Sequence, residues 1–176
     1  KTLTLVGLGE IGRSLARAAR SFGMRVIGVS RTGRRVAHVD RVYRVGQVTR
    51  ALGAADFAVL ALPLTSATRG LIGERELAAM RPTAWLVNIA RGPIVDERAL
   101  LAALEQRRIG GVILDVFDEE PLPPAHPLWA LANVVITPHI SGPSAPEEIA
   151  TIFNDNLRRY AASRGLVHVV DRSRGY

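Results

Sequence analysis

The sequence predicts an α/β fold, a doubly wound parallel sheet with helices on both faces in three α/β/α layers. Three observations lead to this prediction. Short apolar segments rich in β-branched residues alternate with segments whose apolar residues recur at helical spacing. The first apolar segment passes directly into a glycine-rich turn, and the 176 residues suit one domain. Strands separated by helices pair in parallel, and right-handed crossovers place the helices over both faces of the sheet.

The predicted elements follow one another along the chain. Strands are expected at residues 2–6, 25–29, 43–45, 57–62, 85–89, 112–114 and 134–136. Helices are expected at residues 13–22, 74–80, 97–106 and 144–163. The first helix is indicated by four apolar residues at helical spacing, Leu15, Ala18, Ala19 and Phe22. Asp96 is of a type that caps helix N-termini, and we expect it to precede the third helix.

The composition limits the class of protein. Hydrophobic residues make up 48% of the chain, which disfavours disorder, and no apolar run approaches the roughly 20 residues of a membrane span. The chain has no cysteine and shows no export leader, so we expect a cytoplasmic protein without disulfides. No spacing of His, Asp and Glu suggests a metal site. The net charge of +7 is compatible with a nucleic-acid surface, but the arginines are scattered, so we expect no nucleic-acid partner.

A phosphate-binding turn follows the first predicted strand. The segment Gly7-Leu8-Gly9-Glu10-Ile11-Gly12 matches G-x-G-x-x-G between a strand and a helix, the context in which this motif binds dinucleotides. Gly7 permits the tight turn, Gly9 lets the backbone approach a pyrophosphate, and Gly12 permits close packing of the helix. The helix N-terminus offers N–H groups to the phosphates. Glu10 is expected to point away from them. The motif predicts a Rossmann-type domain.

The end of the second predicted strand indicates which dinucleotide is bound. An NAD site usually has Asp or Glu there, bonded to the ribose 2′-OH. This chain instead has Ser30, Arg31 and Thr32, and an arginine with two hydroxyls can hold a 2′-phosphate that a carboxylate would repel. We therefore expect NADP(H) to be preferred, with NAD(H) possible.

Three more segments each follow a predicted strand at the carboxyl edge, where open α/β sheets bind ligands. They read N-I-A-R-G-P-I-V-D from residue 88, L-D-V-F-D-E-E-P-L-P from residue 114 and T-P-H-I-S-G from residue 137. Arg91 can pair with a substrate carboxylate, and His139 can exchange a proton with a carbonyl oxygen. Glu120 can fix the tautomer of the imidazole and stabilise its charged form. Each residue alone has an ordinary structural explanation, and only the joint pattern indicates catalysis.

These motifs, with H-P-L-W at 126–129, resemble the D-isomer-specific 2-hydroxyacid dehydrogenases, and the similarity runs from Leu3 to residues 171–176. The resemblance implies an NAD(P)H-dependent oxidoreductase that interconverts a small 2-keto acid and its D-2-hydroxy acid, of the glyoxylate or hydroxypyruvate type. It also implies that Arg91, Glu120 and His139 are the catalytic residues.

The resemblance extends the expected cofactor site. Asp115 resembles the residue that contacts the nicotinamide carboxamide, and Pro63 resembles a residue lining the adenine pocket. The residues expected to bind the cofactor are Gly7, Gly9, Glu10, Ile11, Gly12, Ser30, Arg31, Thr32, Leu62, Pro63, Thr68, Ile89, Ala90, Asp115, His139, Ser141 and Gly142.

The family also implies a second lobe, built mainly from an N-terminal region. The chain begins at Lys1, almost directly in a buried strand, so we expect such a region to be missing. Residues 1–157 are then the cofactor domain, and 158–176 are a tail expected to pack on the missing substrate lobe. The isolated chain should have low activity, because substrate orientation supplies much of catalysis. The resemblance also implies a homodimer.

Two other functions remain open at this point. The chain could be a non-catalytic dinucleotide-sensing module, as in corepressors that share the fold, although a sensor has no need of the Arg91, Glu120 and His139 set. The basic charge leaves a nucleic-acid binder as a weaker third alternative.

Overall fold

The computed structural model describes residues 1–142 and 145–172. Its strands are β1 Thr2–Val6, β2 Arg25–Ser30, β3 Arg41–Arg44, β4 Phe57–Leu60, β5 Trp85–Asn88, β6 Gly111–Leu114 and β7 Val134–Ile136. Its α-helices are α1 Glu10–Ser21, α2 Val48–Leu52, α3 Glu74–Ala79, α4 Glu97–Glu105 and α5 Pro146–Ala161. Short 3₁₀ turns cover Val45–Gln47, Gly92–Ile94 and Pro127–Ala130.

Within the described residues, seven strands pair in parallel in the order β3-β2-β1-β4-β5-β6-β7. The chain order reverses between β1 and β4, and open α/β sheets bind ligands in the crevice at such a reversal. Val6 at the end of β1 is in register with Val29 on one side and Leu60 on the other, so the loops that follow these strands leave from one edge. The predicted α/β fold of Rossmann type is confirmed.

The core explains why the apolar runs form strands. Leu5, Ile27, Leu60 and Leu86 lie on adjacent strands and are at most 1% exposed. Strands covered on both faces are apolar throughout instead of alternating. The helices cover the sheet with their own apolar side chains, such as Leu104 of α4, which is 1% exposed.

The buried face of α1 differs from the predicted one. Ala19 is buried, but Ala18 is exposed and Phe22, which follows the helix, is 83% exposed. The buried residues of α1 are Gly12, Ala16 and Ala19, and the predicted Leu15 packs against the core while remaining partly exposed. Gly12 brings the start of α1 against the glycine turn, and small side chains then fill the narrow space beside it.

Several element boundaries also differ from the predicted ones. The third strand is Arg41–Arg44, because Val45 already begins a 3₁₀ turn, and β4 ends at Leu60, two residues before the predicted end. Helix α2 was not predicted, although Val48, Ala51 and Leu52 are buried at helical spacing, because five residues give too short a pattern. Helix α5 begins at Pro146 in the described residues, and Ser144, its predicted start, lies outside them.

Helix α5 carries apolar side chains that the described residues leave exposed. No residue of α5 is buried, and the predicted domain boundary at residue 157 falls inside this helix. The exposed apolar side chains on α5 and in the segment after it are Ile149, Ile152, Phe153, Leu157, Tyr160, Leu166, Val169 and Val170.

We expect Leu86→Ala to destabilise the domain by about 2–5 kcal/mol, because Leu86 is fully buried on a face of the sheet and the substitution leaves a cavity in the core there. Urea unfolding followed by circular dichroism measures this change. Phe22→Ala is the matched control, since Phe22 is exposed and should change stability by less than about 0.5 kcal/mol. Equal losses in the two variants would contradict the assignment of the core.

Candidate active site

The glycine turn after β1 has the geometry of a phosphate site. Gly7 has a φ of 106°, and a Cβ there would lie 2.1 Å from the carbonyl oxygen of Ala61. A Cβ on Gly12 would lie 2.1 Å from the carbonyl oxygen of Gly7, so the helix can pack here only through glycine. Gly9 has open space where its Cβ would be, and α1 begins after it without a side-chain cap. The first N–H groups of α1 are thus left for an anion.

A cavity of about 520 Å³ opens beside this turn, at the reversal between β1 and β4. Its lining residues are Gly9, Glu10, Ile11, Ala61, Leu62, Pro63, Leu64, Ile89, Ala90 and Arg91. All except Ala61 and Leu64 are predicted site residues, so residues from three separate loops of the sequence meet in one crevice. Glu10, the first residue of α1, also lines a second surface cavity with Arg13, Arg17 and Arg35, whose charges oppose its own.

The end of β2 carries no acid. Ser30 Oγ accepts a hydrogen bond from the N–H of Gly33 at 3.1 Å, and Thr32 Oγ1 accepts one from the N–H of Arg34 at 3.4 Å. A hydroxyl that accepts a backbone hydrogen bond still has its own hydrogen to donate. The exposed Arg31 lies between these two residues in the sequence. The segment can therefore present hydroxyl donors beside a guanidinium to an anion.

Thr68 stabilises the loop after β4. Its Oγ1 donates to the carbonyl oxygen of Pro63 at 2.7 Å and accepts from the N–H of Thr65 at 2.8 Å. These bonds fix the loop that carries Leu62 and Pro63 into the cavity. The structure thus places Thr68 behind the cavity lining.

His139 and Glu120 form a hydrogen-bonded pair at the carboxyl edge. His139 Nδ1 lies 2.7 Å from Glu120 Oε2, and both side chains remain partly exposed, at 49% and 36%. Glu120 Oε1 accepts a hydrogen bond from the N–H of Phe117 at 2.9 Å. With Nδ1 bonded to the carboxylate, Nε2 is the ring nitrogen available to a ligand. The described residues thus present a histidine oriented by an acid.

Charge keeps Glu120 ionised. The hydrogen bond from His139 and that from the N–H of Phe117 lower the pKa of Glu120 below its usual value, and the positive charge of Arg91 lowers it further. The charge of Arg91 is therefore within electrostatic reach of Glu120. The structure places His139 against Glu120 and Arg91 where its charge acts on the same carboxylate, and the catalytic roles of the three residues stay a prediction.

Gly92 explains why the loops of Arg91 and Glu120 lie so close. A Cβ on Gly92 would lie 2.1 Å from the carbonyl carbon of Phe117, so the two backbones touch where any other residue would separate them. The contact joins the turn after β5 to the loop after β6. Glycine at this position therefore lets the loop that carries Arg91 approach the loop that carries Glu120.

Asn88 holds the Arg91 loop and was not predicted as a functional residue. Its side chain is 1% exposed, its Nδ2 donates to the carbonyl oxygen of Arg91 at 2.9 Å, and its Oδ1 accepts from the N–H of Ala90 at 3.0 Å. The sequence signal was a polar residue at the end of an apolar strand. Arg91 Nη1 also donates to the carbonyl oxygen of Ala90, at 2.6 Å.

Asp115 lies at the end of β6 and faces the His139 loop. The side chain is 2% exposed. Its Oδ1 accepts from Thr137 Oγ1 at 2.5 Å and from the N–H of Ile140 at 2.9 Å, and its Oδ2 accepts from the N–H of Ser141 at 2.9 Å. Burial raises the pKa of Asp115, but these hydrogen bonds outweigh burial and bring the pKa down to about 2. Thr137 is a further residue that the sequence did not single out.

Gly142 and His126 lie outside the contacts described above. Gly142 follows Ser141 directly, at the end of the first described range. His126 accepts from the N–H of Leu128 and contacts Glu97 at 3.2 Å, which is a structural role. Within the described ranges, no cluster of three or more His, Cys, Asp or Glu side chains could hold a metal ion. None of the helices in those ranges combines the length and the apolar character that crossing a bilayer requires.

The fold and the site together define a Rossmann-type domain that combines a glycine phosphate turn after β1 with a histidine–carboxylate pair in the loops after β6 and β7. Residues 1–141 match the family model described as D-isomer specific 2-hydroxyacid dehydrogenase, NAD binding domain. The chain belongs to this family.

Known relatives agree with this assignment. A glyoxylate reductase from Thermococcus gammatolerans is 45% identical over 159 residues, which cover 89% of this chain and 47% of the relative. A D-isomer specific 2-hydroxyacid dehydrogenase from Xanthobacter autotrophicus Py2, solved in complex with NADPH and MES, superposes with a TM-score of 0.94 at 38% identity, covering 99% of this chain and 72% of that one.

An NADPH-dependent glyoxylate/hydroxypyruvate reductase from Sinorhizobium meliloti, solved with NADP and sulfate, superposes with a TM-score of 0.93 at 33% identity. The superposition covers 99% of this chain and 57% of that one. The chain spans about half the length of the curated relatives it matches.

Two glycine substitutions should separate folding from binding. We expect Gly9→Ala to fold with nearly unchanged stability, because open space surrounds the new methyl group, and to lose dinucleotide binding because the methyl group stands where a pyrophosphate approaches. Gly12→Ala should instead destabilise the domain, since its Cβ would meet the carbonyl oxygen of Gly7. Thermal unfolding and NADPH titration test both. A Gly9→Ala variant that binds NADPH normally would contradict the assigned phosphate site.

Proposed function

We propose that this chain is the cofactor-binding part of an NADP(H)-preferring oxidoreductase that interconverts a small 2-keto acid and its D-2-hydroxy acid, of the glyoxylate or hydroxypyruvate type. The observation that carries the proposal is the 2.7 Å contact between His139 and Glu120, with the charge of Arg91 within reach of the same carboxylate. Membership of the dehydrogenase family and the glyoxylate reductases among its relatives support it.

The three side chains fit the needs of 2-keto acid reduction. When bound, the nicotinamide supplies hydride to the carbonyl carbon. Arg91 pairs its planar guanidinium with the substrate carboxylate and places the carbonyl next to His139. His139 Nε2 donates a proton to the carbonyl oxygen as it becomes an alkoxide, and takes the proton back in the reverse direction. The Glu120 carboxylate, which stays ionised, orients the ring and stabilises its protonated form.

The residues that would hold the dinucleotide lie along the same edge of the sheet. The N–H groups at the start of α1 suit the pyrophosphate, and the apolar loop at Leu62 and Pro63 suits the adenine. Ser30, Arg31 and Thr32 suit a 2′-phosphate, and the absence of an acid at the end of β2 weakens the case for NAD(H) alone. Two of the superposed relatives were solved with NADPH or NADP.

The whole protein should have a further lobe that completes the substrate site. We propose that a second lobe covers the crevice and binds the substrate, that residues 158–176 pack on that lobe, and that the protein is a cytoplasmic homodimer without a nucleic-acid partner. The exposed apolar residues of α5 and the following segment support burial against another surface. Positive residues are spread over the surface, and acids pair with several of them, as Asp40 does with Arg20.

The non-catalytic alternative, a dinucleotide-sensing or corepressor-like module, is less well supported. It accounts for the glycine turn and the cavity. It gives no reason for a histidine whose ring is oriented by a carboxylate, or for an arginine whose charge acts on that carboxylate.

NADPH should stabilise the chain against heat more than NADH at equal concentration, because binding to the folded state raises the melting temperature by mass action. Arg31→Ala should weaken NADPH affinity by roughly tenfold to a hundredfold, the effect of losing a charged hydrogen bond, and leave NADH affinity unchanged. Arg75→Ala on the outside of α3 is the matched control. Equal responses to both nucleotides in the wild type would reject the NADP(H) preference.

In the whole protein, His139→Ala should lower kcat for 2-keto acid reduction by about a hundredfold or more while NADPH affinity persists, because the proton donor is lost. Glu120→Gln should cost less, since an amide can still bond the ring but cannot stabilise its charge. Steady-state kinetics and fluorescence titration provide the two measurements. Turnover unchanged in His139→Ala would reject its assigned role.

A further inference from the structure

We propose that Asn88 and Asp115 are positioning residues, each of which holds the loop of one catalytic side chain. Asp115 fixes the loop that presents His139, and Asn88 fixes the turn that presents Arg91. The proposal rests on the proposed function for its catalytic consequence, but the structural restraint it describes is independent of that function.

The rarity of buried polar side chains draws attention to these two residues. Among the described residues, the buried polar side chains are Thr4, Asn88 and Asp115. Thr4 donates to the carbonyl oxygen of Ala51 and joins β1 to α2, far along the chain from the catalytic loops. The other two lie at or directly after the ends of the neighbouring strands β5 and β6. A buried polar group is tolerated only where it is hydrogen-bonded, so these partners are specific.

Asp115 surrounds His139 with hydrogen bonds on both sides. It accepts from Thr137 Oγ1 before the histidine, and from the N–H groups of Ile140 and Ser141 after it. His139 itself has a φ of 54°, a left-handed conformation that is uncommon for residues other than glycine. Without Asp115 to hold both flanks, the backbone at His139 can relax, and Nδ1 then moves away from Glu120.

A carboxylate suits this position better than an amide. Three donors converge on Asp115, and an ionised carboxylate is an acceptor at both oxygens. An asparagine there would place one of its own N–H groups against a backbone N–H in either orientation. Because the pKa of Asp115 is about 2, the restraint persists through the whole neutral range.

Asn88 restrains the Arg91 turn in a similar way, through both the NH₂ group and the oxygen of its side-chain amide. Its Nδ2 donates to the carbonyl oxygen of Arg91 while its Oδ1 accepts from the N–H of Ala90. The two bonds fix the turn directly before Gly92, where the backbone meets Phe117. The direction of the Arg91 side chain therefore depends on a buried amide behind it.

Thr137→Val is the decisive variant, because Thr137 is not among the proposed cofactor residues and its loss removes only one bond to Asp115. Asp115→Asn is the stronger variant and also changes a residue near the proposed nicotinamide site. Thr4→Val is the matched control, a threonine-to-valine change that also removes a side-chain hydrogen bond elsewhere. Melting temperatures measured alongside show whether each variant folds.

Two measurements need no activity. Hydrogen exchange should be faster at the Ile140 and Ser141 amides in Thr137→Val and Asp115→Asn, and unchanged in Thr4→Val. The pKa of Glu120, followed by carbon NMR of its carboxyl group, should rise toward its usual value in the first two variants, since the bond from His139 lowers it. Wild-type exchange rates and an unchanged Glu120 pKa in a folded Thr137→Val protein would overturn the proposal, even if Asp115→Asn failed to fold.

Kinetics of the whole protein supply the catalytic readout. Thr137→Val should lower kcat by about tenfold, because a small displacement of a catalytic group is costly. Asn88→Ala should raise the KM for the 2-keto acid through Arg91. Wild-type kcat and KM in folded variants would reject the positioning roles. If the wild type reduces no 2-keto acid, the proposed function fails, and the exchange and pKa measurements still decide the restraint.

Discussion

The parallel register of the sheet is the constraint on which the rest of the structure depends. Because β1, β4, β5, β6 and β7 run the same way and pair side by side, their carboxyl ends lie along one edge. Residues distant in sequence, such as Gly9 and Arg91, thereby line one cavity. The glycine turn, the arginine, the acid and the histidine each follow a different strand and so lie along the same edge of the sheet.

Close backbone contacts then set the distances within the crevice. Gly7 and Gly12 allow the turn and α1 to pack where a methyl group would strike a carbonyl oxygen, and Gly92 does the same between two catalytic loops. Glycine residues, which carry no functional group, therefore determine how closely the loops that carry the functional side chains approach one another. Gly9 differs from these three, since its open side is the one a ligand can approach.

Polar groups are used sparingly and at the edge of the core. The interior is mostly apolar, and its few buried polar side chains have their hydrogen bonds satisfied within the described residues. The ionised state of Glu120 follows from its partners: the imidazole, one backbone N–H and a nearby guanidinium all favour the carboxylate. The hydrogen-bond geometry and the electrostatics therefore favour the same arrangement, an ionised Glu120 bonded to His139.

The sequence by itself determined the fold class, the order of the strands along the chain, the glycine turn and the identity of the catalytic candidates. These features are local, because apolar runs, glycine spacing and polar residues after strands are written in consecutive positions. Only the tertiary structure decided the strand order within the sheet, the buried face of α1 and the short helix α2, since packing against distant residues selects them. The roles of Asn88 and Thr137 could not be predicted for the same reason, because the hydrogen-bond partner of a buried polar side chain is determined only by the folded structure.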